Sequence, residues 1–418
     1  MAAAYCRRHC HTVKSMNTPE PVDTGRVGGQ GRLLPLYAAG FVTAFGAHSI
    51  AASLGGYTHA QHASLLALGV LLAVYDGAEV VLKPVFGSLA DRIGARPVLL
   101  GGLLAFAAAS AGFVLAGDPA WVGLARFGQG AAAAAFSPAA GVLVARLTPN
   151  TGQGRGFGRY GAWKGLGYTL GPVLGGVLIA VGGYPLLFTT LAVLGVVVAG
   201  WAGLVVPAAP PLPRTRQTVA DLVRRLTSPG FVRPTLALAA ATAALSVGVG
   251  FVPVAGAGRG LGPLATGAIV SLLAAAAAVI QPRAGRARDR GRIGDRTGLA
   301  AGLALTAIGC AAVVIPGVAG LVVAALLIGC GVGVITPIGF AHLATTAPTE
   351  RLGQTLGAAE VGRELGDAGG PLLVGGLAAA ATLTPALLTF AALLTAVAAI
   401  VAVPARQPDH RIGGGSGV

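Results

Sequence analysis

Nine ionisable side chains sit inside long apolar stretches of this sequence, and their spacing is ordered. Five are acids: Asp76, Glu79, Glu360, Glu364 and Asp367. Four are bases: Lys83, Arg126, Lys164 and Arg363. Asp76, Glu79 and Lys83 fall at i, i+3 and i+7, and Glu360, Arg363, Glu364 and Asp367 at i, i+3, i+4 and i+7. On a helix each set shares one face. Such rows suit two kinds of chemistry. They can lock two helices together as ion pairs, or a carboxylate can bind a proton and give it up when a cation approaches. Both uses can coexist. Five acids against four bases leave at least one carboxylate without its own partner. Asp76 or Glu79 is the expected titrating group.

The elements that hold these residues are set by composition. The 418 residues are 54% hydrophobic and only 10% charged, with mean hydropathy +0.76. A soluble domain carries about 25% charged residues. This chain cannot cover a surface facing water, which excludes a large soluble protein. Ala, Leu and Gly dominate the apolar runs, and alternating barrel strands are absent, so helices are the spanning element. A spanning helix needs about 20 apolar residues. Twelve stretches qualify: 33–54, 64–86, 97–116, 120–145, 158–181, 185–206, 234–256, 263–283, 298–316, 320–345, 355–379 and 384–404. In a bilayer an ionisable group costs at least ~2.5–3.5 kcal/mol and faces a cavity or a partner. Asp76 lies nearest mid-membrane.

The net charge of +15 could suggest nucleic acid, but its distribution excludes it. The bases sit in short loops, with no basic patch interleaved with aromatics. Lys and Arg mark one side: Arg92 and Arg96, Arg146, Arg155 and Arg159, the cluster from Arg283 to Arg296, Arg351, Arg406 and Arg411. The other side carries only Arg259. Positive loops face the cytoplasm, so both termini are expected there. Cys6 and Cys10 lie in the polar N-terminal tail beside His9 and His11, and Cys310 and Cys330 in apolar segments. No disulfide framework follows, and an unstructured tail is expected rather than a metal site. No stretch suits a cleavable signal peptide. His59 and His62 fall in a loop. His48, in the first segment, is a candidate for the substrate cavity.

The chain repeats itself. Pro84, Gly87, Asp91 and Arg92 align with Pro282, Gly285, Asp289 and Arg290, 198 residues on. Ser137-Pro138 aligns with Thr336-Pro337, and Gly167, Gly171, Pro172 and Gly176 align with Gly366, Gly370, Pro371 and Gly375, each 199 residues on. The first copy reads Gly87-Ser88-Leu89-Ala90-Asp91-Arg92-Ile93-Gly94-Ala95-Arg96. It resembles the loop between the second and third membrane helices of the major facilitator superfamily. The resemblance covers about residues 32–405. It implies an all-α integral membrane protein of twelve transmembrane helices in two six-helix repeats, working by alternating access around a central site.

Further motifs follow the resemblance. Arg126-Phe127-Gly128-Gln129-Gly130 is similar to the family's Arg-x-x-Gln-Gly pattern, whose arginine is implicated in proton transfer. An alternative is a structural donor to neighbouring carbonyls. Gly167, Gly171, Pro172, Gly175 and Gly176 resemble the helix-five signature of antiporters, although any transporter needs close helix packing. Segments two and eleven touch across the halves in that family. This places Lys83 near the level of Glu360 and Glu364, and Glu79 near Asp367. Gly87, Asp91, Arg92, Gly94 and Arg96 form the gating loop, with Asp91 set against a helix N-terminus or an arginine. Arg96 is read more simply as a positive-inside residue. The second copy has Gly291 and Arg292 where the first has Ile93 and Gly94, so it is not expected to gate in the same way. Lys164, beside Trp163, is expected either to contact substrate or to snorkel to the inner interface. Lys83, Arg363 and His48 complete the expected cavity.

The expected organisation is a disordered cytoplasmic tail (1–31), a six-helix bundle (32–206), a cytoplasmic linker with a short amphipathic helix (207–233), a second bundle (234–405) and a cytoplasmic tail (406–418). The sequence reads as a proton-coupled exporter of drugs or metabolites in the cell membrane. The alternative is an uptake or symport carrier, or an exporter of a polar, anionic or metalloid compound. No Gly-x-x-x-x-Gly-Lys-Ser/Thr is present, so neither ATP hydrolysis nor enzymatic activity is expected. No cofactor or metal is expected. A proton gradient is the energy source. The expected partners are protons, a small-molecule substrate and the lipid bilayer around a monomer.

Overall fold

A computed structural model describes residues 29–60, 65–114, 119–208, 219–261 and 263–403. The described elements are α1 (Gly29–Ala60), α2 (Leu65–Ile93), α3 (Ala95–Val114), α4 (Pro119–Leu147), α5 (Gln153–Val205), α6 (Val219–Leu226), α7 (Pro229–Ala257), α8 (Pro263–Asp289), α9 (Asp295–Ala312), α10 (Gly317–Thr346), α11 (Leu352–Ala380) and α12 (Leu383–Ala402). A backbone in lipid must satisfy its own hydrogen bonds, which helices do internally. Eight of the described helices are long and apolar enough to cross a membrane. The charged rows of α2 and α11 set those two apart from the apolar ones, and α9 opens on Asp295 and Arg296.

The long α5 is two helices joined at a corner. Gly182 (φ −144°, ψ 18°) and Gly183 (φ 70°, ψ −175°) leave the helical region. The positive φ of Gly183 suits a residue without Cβ. The arms 153–181 and 184–205 correspond to the fifth and sixth apolar stretches of the sequence. With α1–α4 and α7–α12 they make twelve spanning segments. The short α6 lies between the halves, and Arg225 at its end donates to Gln354 Oε1 of α11 at 2.5 Å.

The two halves pack alike. In the first, α1 packs on α5, α2 on α4, and α3 on α4 and α5. In the second, α7 packs on α11, α8 on α10, and α9 on α10 and α12. Across the halves α2 meets α11 and α5 meets α8. The repeat extends to local detail: the single-turn helices Asn150–Gly152 and Thr349–Arg351 introduce α5 and α11, 199 residues apart. Exposed apolar side chains such as Val81, Val85, Val177, Val181 and Leu204 cover the outside, as a lipid-facing surface requires.

Candidate functional site

The site begins where the halves touch, at the Arg-rich end. Asp91 closes α2, and its two oxygens accept from the backbone N–H groups of Gly353 (2.8 Å) and Gln354 (2.9 Å) at the start of α11. A helix N-terminus carries unsatisfied donors and a partial positive charge, so a carboxylate binds it well. Of the two partners expected for Asp91, the structure places the helix N-terminus there. Glycines make the approach possible. A Cβ on Gly87 would stand 2.5 Å from the Gly353 carbonyl oxygen. Gly94, with φ 94°, is the single residue between α2 and α3. Arg96 donates to the Gly203 carbonyl at the end of α5, a more specific contact than a positive-inside role requires. Arg92 is exposed.

The second copy makes the same clamp, although its motif departs from the first. Asp289, ending α8, accepts from Gly154 N and Arg155 N at 2.8 Å each, at the start of α5. Gly285 and Gly154 pack backbone to backbone, with no room for a Cβ on either. Gly291 supplies a left-handed turn (φ 69°) one residue before the place of Gly94, and a longer loop absorbs the offset. A turn glycine can shift by one residue without moving the aspartate, which alignment of residue types between the two copies does not reveal. A third carboxylate braces this end: Asp295 accepts from Arg288 Nε at 2.6 Å and pairs with His342 Nδ1 at 2.8 Å. Burial works against its charge, but these partners hold its carboxyl below the usual range.

Above the clamps lies the charged row. Rising about 1.5 Å per residue from the helix ends, Glu360 lies about 12 Å in, Lys83 about 15 Å, Lys164 about 16 Å, Glu364 about 18 Å, Glu79 about 21 Å, Asp367 about 22 Å and Asp76 about 25 Å. Lys83 is 1% exposed and stands at the centre. Its Nζ lies 2.6 Å from Glu79 Oε2, 2.5 Å from Glu364 Oε1 and 3.6 Å from Glu360 Oε2. Glu79 is on its own helix, while the other two reach across from the second half. Glu360 is also held by Arg363 Nη1 at 3.1 Å, whose guanidinium lies over the Phe340 ring at 5.6 Å. The sequence placed Lys83 level with Glu360 and Glu364, and the structure joins them. It does not join Glu79 to Asp367. Asp367 instead accepts from Ser246 of α7.

Farther in, Tyr75 links two groups. Its hydroxyl donates to Glu79 Oε1 at 3.0 Å, and the Arg126 guanidinium sits over its ring at 4.4 Å. Arg126, 2% exposed, also donates to Gln129 Oε1 at 3.1 Å. Asp76 is exposed and makes no hydrogen bond or ion pair with a described residue. It projects from the same helical face as Glu79 and Lys83. The sequence had not singled out Tyr75; its place one residue before Asp76 was the available signal.

Lys164 lies between the tiers. Its Nζ is 3.5 Å from Ser137 Oγ and 5.9 Å from the Tyr168 ring centre. At its depth it does not snorkel to the interface. His48 stacks at a tilt on Tyr168, 4.3 Å between centres, and its Nδ1 lies 3.2 Å from the Ala44 carbonyl. The helix-five glycines bind α5 to α1: Gly167 meets Phe41 and Ala44, Gly171 meets Phe45 and His48, and Gly175 meets Ser49. Ser49 Oγ donates to the Gly171 carbonyl at 2.7 Å. Gly176 faces open space. In the second half Gly366 and Gly370 pack likewise on Ala239 and Ala243 of α7. The side chains of Pro172 and His59, together with His62 and the tail cluster Cys6, His9, Cys10 and His11, lie outside the described residues.

A twofold-repeated helical bundle with paired aspartate clamps and a buried charged row now stands beside a direct comparison. The profile of the Major Facilitator Superfamily matches residues 36–293 and 236–416. The chain belongs to the Major Facilitator Superfamily. Membership makes it a multi-pass membrane protein. Among curated relatives it is 38% identical to the tetracycline resistance protein, class C, of Escherichia coli over 114 residues, 27% of this chain and 28% of the relative. It is 33% identical to the inner membrane transport protein YajR of E. coli K12 over 137 residues, 32% and 29% of the two chains. It is 28% identical to the quinolone resistance protein NorA of Staphylococcus aureus over 114 residues, 27% and 29%. The matched stretch thus spans less than a third of each relative's length. Two solved facilitators share the fold. The human organic anion transporter MFSD10 superposes with TM-score 0.77 at 16% identity over 89% of this chain and 99% of that one. The E. coli fucose:proton symporter FucP superposes with TM-score 0.75 at 15% identity over 90% and 98%.

Proposed function

We propose that this facilitator exports small molecules, drugs or metabolites, in exchange for protons entering the cell. It would do so by alternating access in the cell membrane, with the Arg-rich end in the cytoplasm. The observation that carries the reading is Lys83, an ammonium of the first half held at mid-depth by two carboxylates of the second. This lock holds the cytoplasmic end shut only while its carboxylates are charged. A proton reaching Glu79 or Glu364 removes a negative charge from Lys83 and weakens the hold across the halves. Asp76, above the lock and unpaired, is the entry for that proton, and Tyr75 and Arg126 stand beside it. Five carboxylates against four bases leave the set one charge negative, so binding one proton brings it to neutrality. The names of the tetracycline and quinolone resistance relatives support export, since removing a drug is one way to resist it.

A second reading is a carrier that moves a polar or anionic metabolite together with the proton. Lys164 favours it, because a base at this depth without an ion pair suits a charged cargo. Purified protein in liposomes with an internal pH dye separates the two. Under an imposed pH gradient, proton flux opposite to substrate establishes antiport. Flux in the same direction, or polar metabolites moving without proton flux, overturns the exporter reading.

A further inference from the structure

We propose that Lys164, with the rings of Tyr168 and His48, is the receptor for the anionic group of a planar organic acid. The inference rests on the transport reading above and names the substrate class of the same central site.

Three observations converge. The first is pairing. Lys83 has its carboxylates and Arg363 has Glu360. Arg126 is engaged by Gln129 and Tyr75. Lys164 has no carboxylate within ion-pair distance among the described residues. Its polar partner is the Ser137 hydroxyl at 3.5 Å. An ammonium at this depth is costly without a counter-charge, and an arriving anion supplies one.

The second is direction. Gly158, Gly161 and Gly165 of α5 meet Gln281 and Ala278 of α8, while Gly167 and Gly171 meet α1. At about 100° per residue, Lys164 and Tyr168 project between these two rows. That is the side facing α4, where Ser137 lies, and facing the axis between the halves. The third is the aromatic platform. Tyr168 sits one turn beyond Lys164, and His48 of α1 packs on its ring at 4.3 Å. A ring surface beside an ammonium suits a flat apolar body carrying a negative charge at its edge. Lys83, 1% exposed, already has three carboxylates around it.

The test is equilibrium dialysis of 2-naphthoate against purified full-length protein in lipid nanodiscs, with the uncharged 2-naphthamide as its isostere. The expected result is saturable binding of the acid, weakened about tenfold (1.4 kcal/mol) by Lys164→Gln and largely kept by Lys164→Arg. The amide should bind weakly and equally to the wild type and Lys164→Gln. Tyr168→Leu should weaken both probes together. Equal binding of the acid by Lys164→Gln and wild type overturns the proposal, as does no saturable binding of 2-naphthoate at all. Lys164→Gln can fail to fold, so the acid-to-amide affinity ratio in the wild type is a second criterion, and a ratio near one also overturns it. Binding needs no gradient. A positive result without proton-coupled flux would sink the antiport reading alone, and flux without acid-selective binding would sink this one alone.

Discussion

Lys83 shows why a buried ion cluster costs more to break than to do without. Removing one partner leaves charges that neither water nor a counter-ion can reach, and such changes cost about 3–5 kcal/mol. Lys83→Met would leave Glu79, Glu360 and Glu364 facing one another. The expected outcome is a clear fall in the thermal unfolding midpoint of the detergent-solubilised protein, partly restored by adding Glu79→Gln and Glu364→Gln. An unchanged midpoint for Lys83→Met would show that the cluster contributes no stability. Asp76 is different, because it holds nothing together. Asp76→Asn should keep the protein inserted and as stable as wild type while proton-coupled transport in liposomes is lost. Full activity in that variant removes Asp76 from the mechanism and moves the assignment to Glu79. Outside the spans, Asp295 has a defined pH sign. Its carboxyl is held below the unfolded value by His342 and Arg288 against the effect of burial. Its contribution to stability is complete above about pH 4, the ordinary carboxylate value, and is lost as pH falls through the lower folded value. Asp295→Asn should therefore flatten the acid limb of a stability–pH profile and leave the neutral region parallel to wild type.

Helix pairs, rather than single contacts, join the halves at the Arg-rich end. α2 with α11 and α5 with α8 each meet through facing glycines and an aspartate seated on a helix N-terminus. A hydrogen bond to a charged group is worth about 1.5–3 kcal/mol, and each clamp has two. The clamps are symmetric in structure, so Asp289→Ala and Asp91→Ala should open the Arg-rich end to a similar degree. The measurement is thiol labelling of Ser137→Cys, in protein whose four natural cysteines are serine, by a reagent supplied from that end. An effect of Asp91→Ala with none from Asp289→Ala would restore the asymmetry suggested by the sequence. Gly285→Val tests the glycine contact itself. Its Cβ would fall on the Gly154 carbonyl, so the closed arrangement should be lost while helix content is kept.

At the scale of the molecule, two six-helix halves close against each other at one end and hold their charges in the middle. A rocking motion between such halves is cheap only if the lock between them can be switched off. In the proposed cycle the two aspartate clamps and the Lys83 cluster are the contacts that must part. Gly87→Val sets a Cβ 2.5 Å from the Gly353 carbonyl oxygen across the halves, so it should keep this end from closing and stop transport with helix content kept. Transport that continues at the wild-type rate in Gly87→Val would show that these ends need not close.

Much of this was legible in the chain itself. Twelve apolar stretches, a repeat at 198–199 residues and seven ionisable residues on two helical faces follow from residue types and spacing, because lipid forces helices and helices have a fixed period. The level match of Lys83 with Glu360 and Glu364 followed from the family resemblance, which sets segments two and eleven side by side, together with counting along them from one end. What remained hidden depends on where helices lie across from one another. Sequence alone could not seat Asp289 on the start of α5, put Tyr75 between Arg126 and Glu79, or leave Lys164 without an ion pair while Asp367 went to Ser246. Those outcomes are set by side chains meeting across interfaces between distant segments. Spacing along one helix fixes the face a residue shares, and only packing decides which charge stands opposite it.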